Sequence, residues 1–516
     1  MITVVAVVVT TWLGASCAAA PAPPPAAPRA CDGLRELARP ATTVTEARED
    51  AGDATTPRSC RVTLTVTDPV DAGTVTVWVY LPVDGWNGRF QGVGGGGFLG
   101  GDPERLLDPL RAGYAAAATD AGHTGPTADF ALDAAGNLDW PAIEDFGHEG
   151  IQDMTLAAKD VVRAYYGADP ARSYFNGCST GGRQGVMEAQ RFPDEYDGIV
   201  AGAPVINFPK MQTGQIWGQV AMLASGNPVA PCKFEAALAA AIEACDTVGD
   251  GVQDGVIGDP LACGFDPGTL VGRATPCGPI TAADVEVIRR IGEGPRRADG
   301  GFLWYGLAPG APFAGLNDTV EVDGRLEGKP FQYDLWWLGL FLAQDRRWDW
   351  KTLNPASFEA FFDQAVQQYN DVLGADDPDL SAYAASGGKL LLWHGAADFG
   401  VPFQGTVDYY ERVRATLGTD RAQEFVRLFL APGVGHCRGG AGAQPADPLG
   451  ALVDWVENGK TPATLDGRRL AEDGSVTATR PICPYPTVAR WNGQGDANDG
   501  TTYECAEATR MRPAVR

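Results

Sequence analysis

Two blocks of alternating strand-type and helix-type segments, separated by a long irregular stretch, predict an α/β protein with a mostly parallel sheet interrupted by a large inserted domain. The length of 516 residues agrees, because a chain of that size exceeds one ordinary domain. So does the composition, 45% hydrophobic against 20% charged, which supplies apolar side chains for a large core.

In chain order, "RVTLTVTD" and "GTVTVWVYLP" alternate apolar and polar residues with Val and Thr enrichment, which predicts half-buried strands in a hairpin or at a sheet edge. The glycine loop "GVGGGGFLGG" follows. Then come "GYAAAATD" as a strand, "GIQDMTLAAKDVVRAYYG" as an amphipathic helix, "ARSYFNG" as a strand, "GRQGVMEAQRFP" as a helix and "YDGIVAGAP" as a strand. From about residue 208 to 374 the rhythm breaks into short helices ("FEAALAAAIEACD", "TAADVEVIRRI") among Gly-, Pro- and Trp-rich loops. It resumes with "GGKLLLWHG" as a strand, "FQGTVDYYERVRATLG" as a helix, "EFVRLFLAPG" as a strand and "PLGALVDWVENGK" as a helix. In that last helix Leu449, Leu452, Val453 and Val456 share one face. The predicted organisation is a core in two parts, 29–207 and 375–516, around a lid at 208–374, with a disulfide-closed C-terminal tail.

Residues 1–28, an apolar run followed by small residues and an Ala/Pro tract, predict an export signal and spacer. Cys17 is a candidate lipid-attachment cysteine. No other apolar run approaches the roughly 20 residues of a membrane span. The net charge of −25 argues against nucleic acid and anionic membranes as partners, since both would be repelled.

Of the eleven cysteines, ten remain if Cys17 leaves with the signal, and an even number in an exported chain predicts disulfides. Local spacing pairs Cys31 with Cys60, Cys245 with Cys263 and Cys483 with Cys505. Cys232 and Cys277 form a fourth pair, leaving Cys178 and Cys437 for each other.

The chemistry centres on G177-C-S-T-G181, between a predicted strand and a predicted helix. In that context G-x-S-x-G reads as a nucleophile elbow, standing at the edge of a core sheet interrupted by a cap. Ser179 then needs a base and an orienting acid, which follow it in the order Asp, His. Asp398 and His436 each lie just after a predicted parallel strand, on the edge where the elbow stands. His394 competes as base but precedes the acid and stands directly at a strand end, so it reads as structural; Asp408 competes as acid but falls inside a helix. His123 and His148 read as loop hydrogen-bonders. A Cys178–Cys437 bond, with its Cα atoms roughly 5.5 Å apart, would make Ser179 and His436 neighbours. The rival reading makes Cys178 the nucleophile. The backbone N–H of Thr180 is the expected first oxyanion donor and Gly96 or Gly97 the second.

In the insertion, "CDTVGDGVQDGVIGDP" sets Asp246, Asp250 and Asp254 among glycines, an arrangement that suits Ca²⁺ or a series of Asp-Gly turns. Val252 and Val256 would add carbonyl ligands. Trp304, Tyr305, Phe313, Trp336 and Trp337 are candidate aromatic walls of a lid pocket or else lid core.

Taken together, Cys178-Ser179, Asp398 and His436-Cys437 resemble the CS-D-HC motif of the tannase and feruloyl esterase family, which includes the hydrolase of mono(2-hydroxyethyl) terephthalate. The likeness extends through "WNGRFQGVGGGGFLGG", "ATDAGHTG", "ACDTVGDGVQDGVIGDP", "YGLAPG" and "ADDPDLSAYAASGGKLLLWHGAAD", and so covers nearly the whole mature chain. It implies an exported serine esterase with an α/β-hydrolase core and a lid domain, structural Ca²⁺ in that lid and no organic cofactor, acting on small esters of aromatic acids, either free or attached to plant polysaccharide or polyphenol. A hydroxycinnamic ester is the expected substrate; galloyl and terephthalate esters are the alternatives, and a non-catalytic exported binder the remote one. The family's calcium loop maps onto Asp250, Val252, Asp254 and Val256. Asp246 fits less well, because Gly249 is an extra residue before Asp250.

Overall fold

The computed structural model describes residues 28–70 and 73–508. The export-signal and lipid-attachment expectations therefore lie outside the described residues. The organising element is a nine-stranded sheet. Its strands are β1 (Thr42–Asp50), β2 (Ser59–Thr67), β3 (Thr74–Pro82), β4 (Arg89–Val93), β5 (Ala115–Thr119), β6 (Arg172–Cys178), β7 (Gly198–Gly202), β8 (Lys389–Gly395) and β9 (Val426–Ala431). The spatial order is β1-β2-β3-β5-β4-β6-β7-β8-β9. From β5 to β9 every neighbouring pair is parallel, while β1, β2 and β3 form an antiparallel extension that joins the rest through β5.

The parallel strands are apolar on both faces because both faces are covered. Phe175, Ile199, Leu390 and Leu392 point to one side, where helices α1 (Gly150–Tyr166), α2 (Thr180–Arg191) and α3 (Phe403–Leu417) contribute Val161, Val186, Met187 and Tyr409. Tyr174, Val200, Leu391 and Trp393 point to the other, against Leu452 and Trp455 of α4 (Pro448–Asn458). Leu449, Val453 and Val456 pack at the border of this layer, as the helical pattern predicts.

Two strands escaped the sequence pattern. β1 carries Glu46, Arg48, Glu49 and Asp50 and is largely exposed; it is an edge strand protected by charge. β4 runs directly into the glycine loop, whose composition masks it. The tail also forms small antiparallel sheets, including Leu465–Leu470 with Val476–Ile482.

Between β7 and β8 the chain leaves the sheet. Residues 208–374 form helices, among them Phe208–Gly214, Pro231–Cys245, Ala282–Glu293 and Pro355–Leu373, and a short hairpin. Their core, with Trp337, Phe341, Phe358 and Tyr369, is continuous with Phe98 of the glycine loop and with Ile143 and Phe146 of the helical turns that lead into α1, so the insertion is seated directly on the sheet edge. None of the described helices is long and apolar enough to cross a membrane.

Candidate active site

β6 ends at Cys178 and α2 begins at Thr180, so Ser179 makes the whole reversal, with φ 63° and ψ −123°. A non-glycine residue at positive φ is strained and persists only where its surroundings hold it. Here the Ser179 N–H donates to the Gly202 carbonyl at 2.9 Å, and the Ser179 carbonyl accepts from the N–H groups of Arg183 and Val205 at 3.0 and 3.3 Å. The glycines around it are steric necessities. A β-carbon on Gly177 would lie 2.5 Å from the Gly181 backbone, and one on Gly181 would lie 3.0 Å from Gly94.

His436, in the loop after β9, sets Nε2 2.9 Å from Ser179 Oγ and Nδ1 2.6 Å from Asp398 Oδ2. Asp398 is buried in the loop after β8, and its Oδ1 accepts from the N–H groups of Gly400 and Val401 at 2.8 and 2.9 Å. Burial opposes its charge, but the His436 charge and hydrogen bonds from His394 and His436 hold the carboxyl well below the usual carboxylate range. Burial also opposes charge on His436; the neighbouring Asp398 overcomes it and raises the imidazole above its ordinary value. A base of this kind, between a hydroxyl and an ionised carboxylate, is placed to take a hydroxyl proton.

Cys178 and Cys437 are joined, with Cα atoms 6.0 Å apart. The Cys178-nucleophile reading is thereby corrected: that sulfur carries no free thiol. The other four expected pairs are present as well, Cys31–Cys60, Cys232–Cys277, Cys245–Cys263 and Cys483–Cys505.

The Gly96 N–H donates to the Leu99 carbonyl at 3.0 Å, whereas the Gly97 N–H has no hydrogen-bond partner among the described residues. Of the two glycines, Gly97 is therefore the one whose N–H is left available to an incoming oxygen. Thr180 opens α2, so its N–H has no intrahelical acceptor. Its hydroxyl donates to the Gly97 carbonyl at 2.6 Å, tying the start of α2 to the glycine loop. Gly97 has φ +61°, and a β-carbon there would fall 2.7 Å from the Tyr333 hydroxyl.

The competing residues take other roles. Asp408 pairs with Arg412 at 3.0 Å along α3. His123 places Nε2 2.6 Å from the Phe98 carbonyl and Nδ1 3.1 Å from that of Ala121, bracing the glycine loop. His148 is pushed down to about 4 by burial and by Arg191 and Arg183. Trp304 and Tyr305 line a cleft between the insertion and the Asp398 loop, together with Gln215, Phe399 and Gly400; its volume is about 40 Å³. Trp337 and Phe313 belong to the lid core instead, Trp337 donating to Thr213 Oγ1 at 2.8 Å and Phe313 stacked on Phe234. Trp336 packs edge-on against Phe98.

In the Asp-Gly loop, Asp246 Oδ1 accepts from the N–H groups of Asp254 and Gly255, and Asp254 pairs with Arg469 and Arg480 of the C-terminal sheet. Asp250 is buried, and burial together with Asp254 and Asp246 pushes its carboxyl up to about 6. Among the described residues no three His, Cys, Asp or Glu side chains gather closely enough to hold a metal alone. A cation here would need the Val252 and Val256 carbonyls as well. The crowding of carboxylates around buried Asp250 fits such a charge.

A sequence model of the tannase and feruloyl esterase family matches residues 60–327 and 334–506. The chain belongs to the tannase and feruloyl esterase family. It is 41% identical over 462 residues to a probable feruloyl esterase of Arthroderma benhamiae, covering 87% of this chain and 85% of that one. To the mono(2-hydroxyethyl) terephthalate hydrolase of Piscinibacter sakaiensis it is 34% identical, over 82% and 80% of the two chains. Among solved structures, the tannin acyl hydrolase from Aspergillus niger matches with a TM-score of 0.81 at 27% identity, over 90% of each chain. The protein is accordingly a carboxylic ester hydrolase of the tannase family, with that family's α/β-hydrolase architecture.

Two features of this esterase lay outside the sequence reading: the contact of His394 with Asp398, and Tyr333 over Gly97. For the first, the H-x-x-x-D spacing of "HGAAD" after a strand is the signal that could have found it. Nothing in the sequence marks the second.

Proposed function

We propose that this esterase cleaves esters of aromatic acids, feruloyl-type esters first, through Ser179, His436 and Asp398. The observation that carries the reading is the continuous chain from Ser179 Oγ to His436 at 2.9 Å and on to Asp398 at 2.6 Å. Ser179 Oγ attacks the ester carbonyl while His436 Nε2 takes its proton. The tetrahedral oxyanion is held by the N–H groups of Thr180 and Gly97. His436 returns the proton to the departing alcohol, leaving an acyl-enzyme; water repeats the sequence and frees the acid. Asp398 holds the imidazole and stabilises its cation.

Asp250 and Asp254, with the Val252 and Val256 carbonyls and Asp246 beside them, would hold the structural Ca²⁺. When bound, it neutralises the buried carboxylates of the lid loop. Export is supported by the N-terminal sequence and by five disulfides, which persist in oxidising compartments.

The aromatic-acid preference rests on the relatives' activities and on the aromatic side chains over the glycine loop, Phe98, Tyr333 and Trp336. It is tested by comparing hydrolysis of methyl ferulate, methyl gallate and mono(2-hydroxyethyl) terephthalate. Ferulate is expected to give the highest kcat/KM. A preference for gallate or terephthalate would reassign the substrate while leaving the chemistry intact.

A further inference from the structure

The mechanism uses one histidine, but Asp398 touches two. His394, at the end of β8, is fully buried, and its Nε2 lies 3.1 Å from Asp398 Oδ2 and 3.0 Å from the Val401 carbonyl. Both partners are acceptors, so Nε2 carries the hydrogen. Nδ1 lies 2.9 Å from Thr406 Oγ1 on α3, and with Nε2 protonated it accepts from that hydroxyl. The tautomer is thereby set from two sides. Asp398 Oδ2 is the same oxygen that receives His436 Nδ1 at 2.6 Å, while Oδ1 is held by the Gly400 and Val401 N–H groups. Four N–H donors therefore converge on one buried carboxylate.

We propose that His394 is a positioning residue of this esterase: by donating to the Asp398 oxygen that faces His436, it fixes the carboxylate's orientation and weakens its pull on the His436 proton. The physical reason is competition. An N–H on Oδ2 draws negative charge toward itself, and that charge is no longer fully available to the imidazolium on the other side. Acid orientation and base strength are thus set by the same contact. The side chains acting on Asp398 are His436 and His394, and Asp398 is the charged group acting on His436. From α3 comes the Thr406 hydroxyl, and from the acid loop the Val401 carbonyl; neither titrates.

The inference rests on the triad reading above, and the test separates the two. The pH dependence of kcat and kcat/KM for methyl ferulate is measured for the wild type, His394→Leu, His394→Gln and Thr406→Val, with folding checked by circular dichroism. Ser179→Ala runs alongside. In His394→Leu, Oδ2 loses a donor and His436 holds its proton more tightly. The acid limb of kcat/KM is expected to move up by about one pH unit, with kcat lowered and KM unchanged. His394→Gln, which keeps an N–H, restores the limb most of the way toward the wild-type position. Thr406→Val, which removes only the tautomer's anchor, gives a smaller shift in the same direction. An acid limb unmoved in folded His394→Leu makes His394 a packing residue and overturns the proposal; if that variant does not fold, an unmoved limb in Thr406→Val does the same. Turnover retained by Ser179→Ala would instead overturn the triad.

Discussion

The hydroxyl of Thr180 donates to the carbonyl of Gly97 at 2.6 Å, joining the first residue after the nucleophile to the loop that faces it. The two backbone N–H groups assigned to the oxyanion come from separate parts of the chain. This side-chain bond fixes their separation before substrate arrives, which is what electrostatic preorganisation requires.

Thr180→Val keeps the shape and removes that bond. The expected result is a fall in kcat of about tenfold to a hundredfold, below the loss of a whole oxyanion donor, with KM little changed. Steady-state kinetics on methyl ferulate check it. Gly97→Ala meets both a positive φ and the Tyr333 hydroxyl, so it is expected to lose more.

The base sets the pH profile. Because Asp398 raises His436 above its ordinary value, kcat/KM is expected to rise with pH along a limb whose apparent pKa exceeds about 6.5. Below that limb His436 is protonated and cannot accept the serine proton. A limb centred clearly below 6.5 would show that Asp398 does not act on His436 as described.

The Cys178–Cys437 bond closes a sequence separation of 259 residues. The chain-entropy model gives about 5 kcal/mol for a loop of that size. The Cys178→Ala/Cys437→Ala variant is expected to unfold at markedly lower denaturant, and kcat is expected to fall with it because Ser179 and His436 lose their tether. Denaturant titration beside kinetics at low temperature separates the two effects.

Calcium is tested by chelation. With free Ca²⁺ a hundredfold above its Kd, binding adds about 2.7 kcal/mol of stability. EDTA is therefore expected to lower the Tm, and Asp250→Asn to abolish the difference. A Tm indifferent to both EDTA and added Ca²⁺ would mean that Arg469 and Arg480 alone neutralise the loop.

Apart from β4, which the glycine loop masks, the parallel half of the sheet was legible in the sequence because its strands are short apolar runs bounded by turns. Ser179, Asp398 and His436 were legible for the same reason: each follows such a strand. β1 was not, since an exposed edge strand lacks an apolar face. Nor was the choice between Gly96 and Gly97, which depends on one turn hydrogen bond, from the Gly96 N–H to the Leu99 carbonyl, that no composition reveals. His394 was set aside as structural because it precedes the acid in the chain. The spacing of "HGAAD" hints at its contact with Asp398, and the contact itself is made as the loop from Ala396 to Val401 folds back on the strand end.

The most direct test is where a serine-directed phosphorylating reagent lands. The protein is treated with diisopropyl fluorophosphate, digested and mapped by mass spectrometry, with Ser179→Ala and His436→Ala in parallel. One labelled peptide is expected, modified at Ser179, with labelling and methyl ferulate hydrolysis both lost in Ser179→Ala and sharply slowed in His436→Ala. A label on another residue, or undiminished hydrolysis by Ser179→Ala, would contradict it.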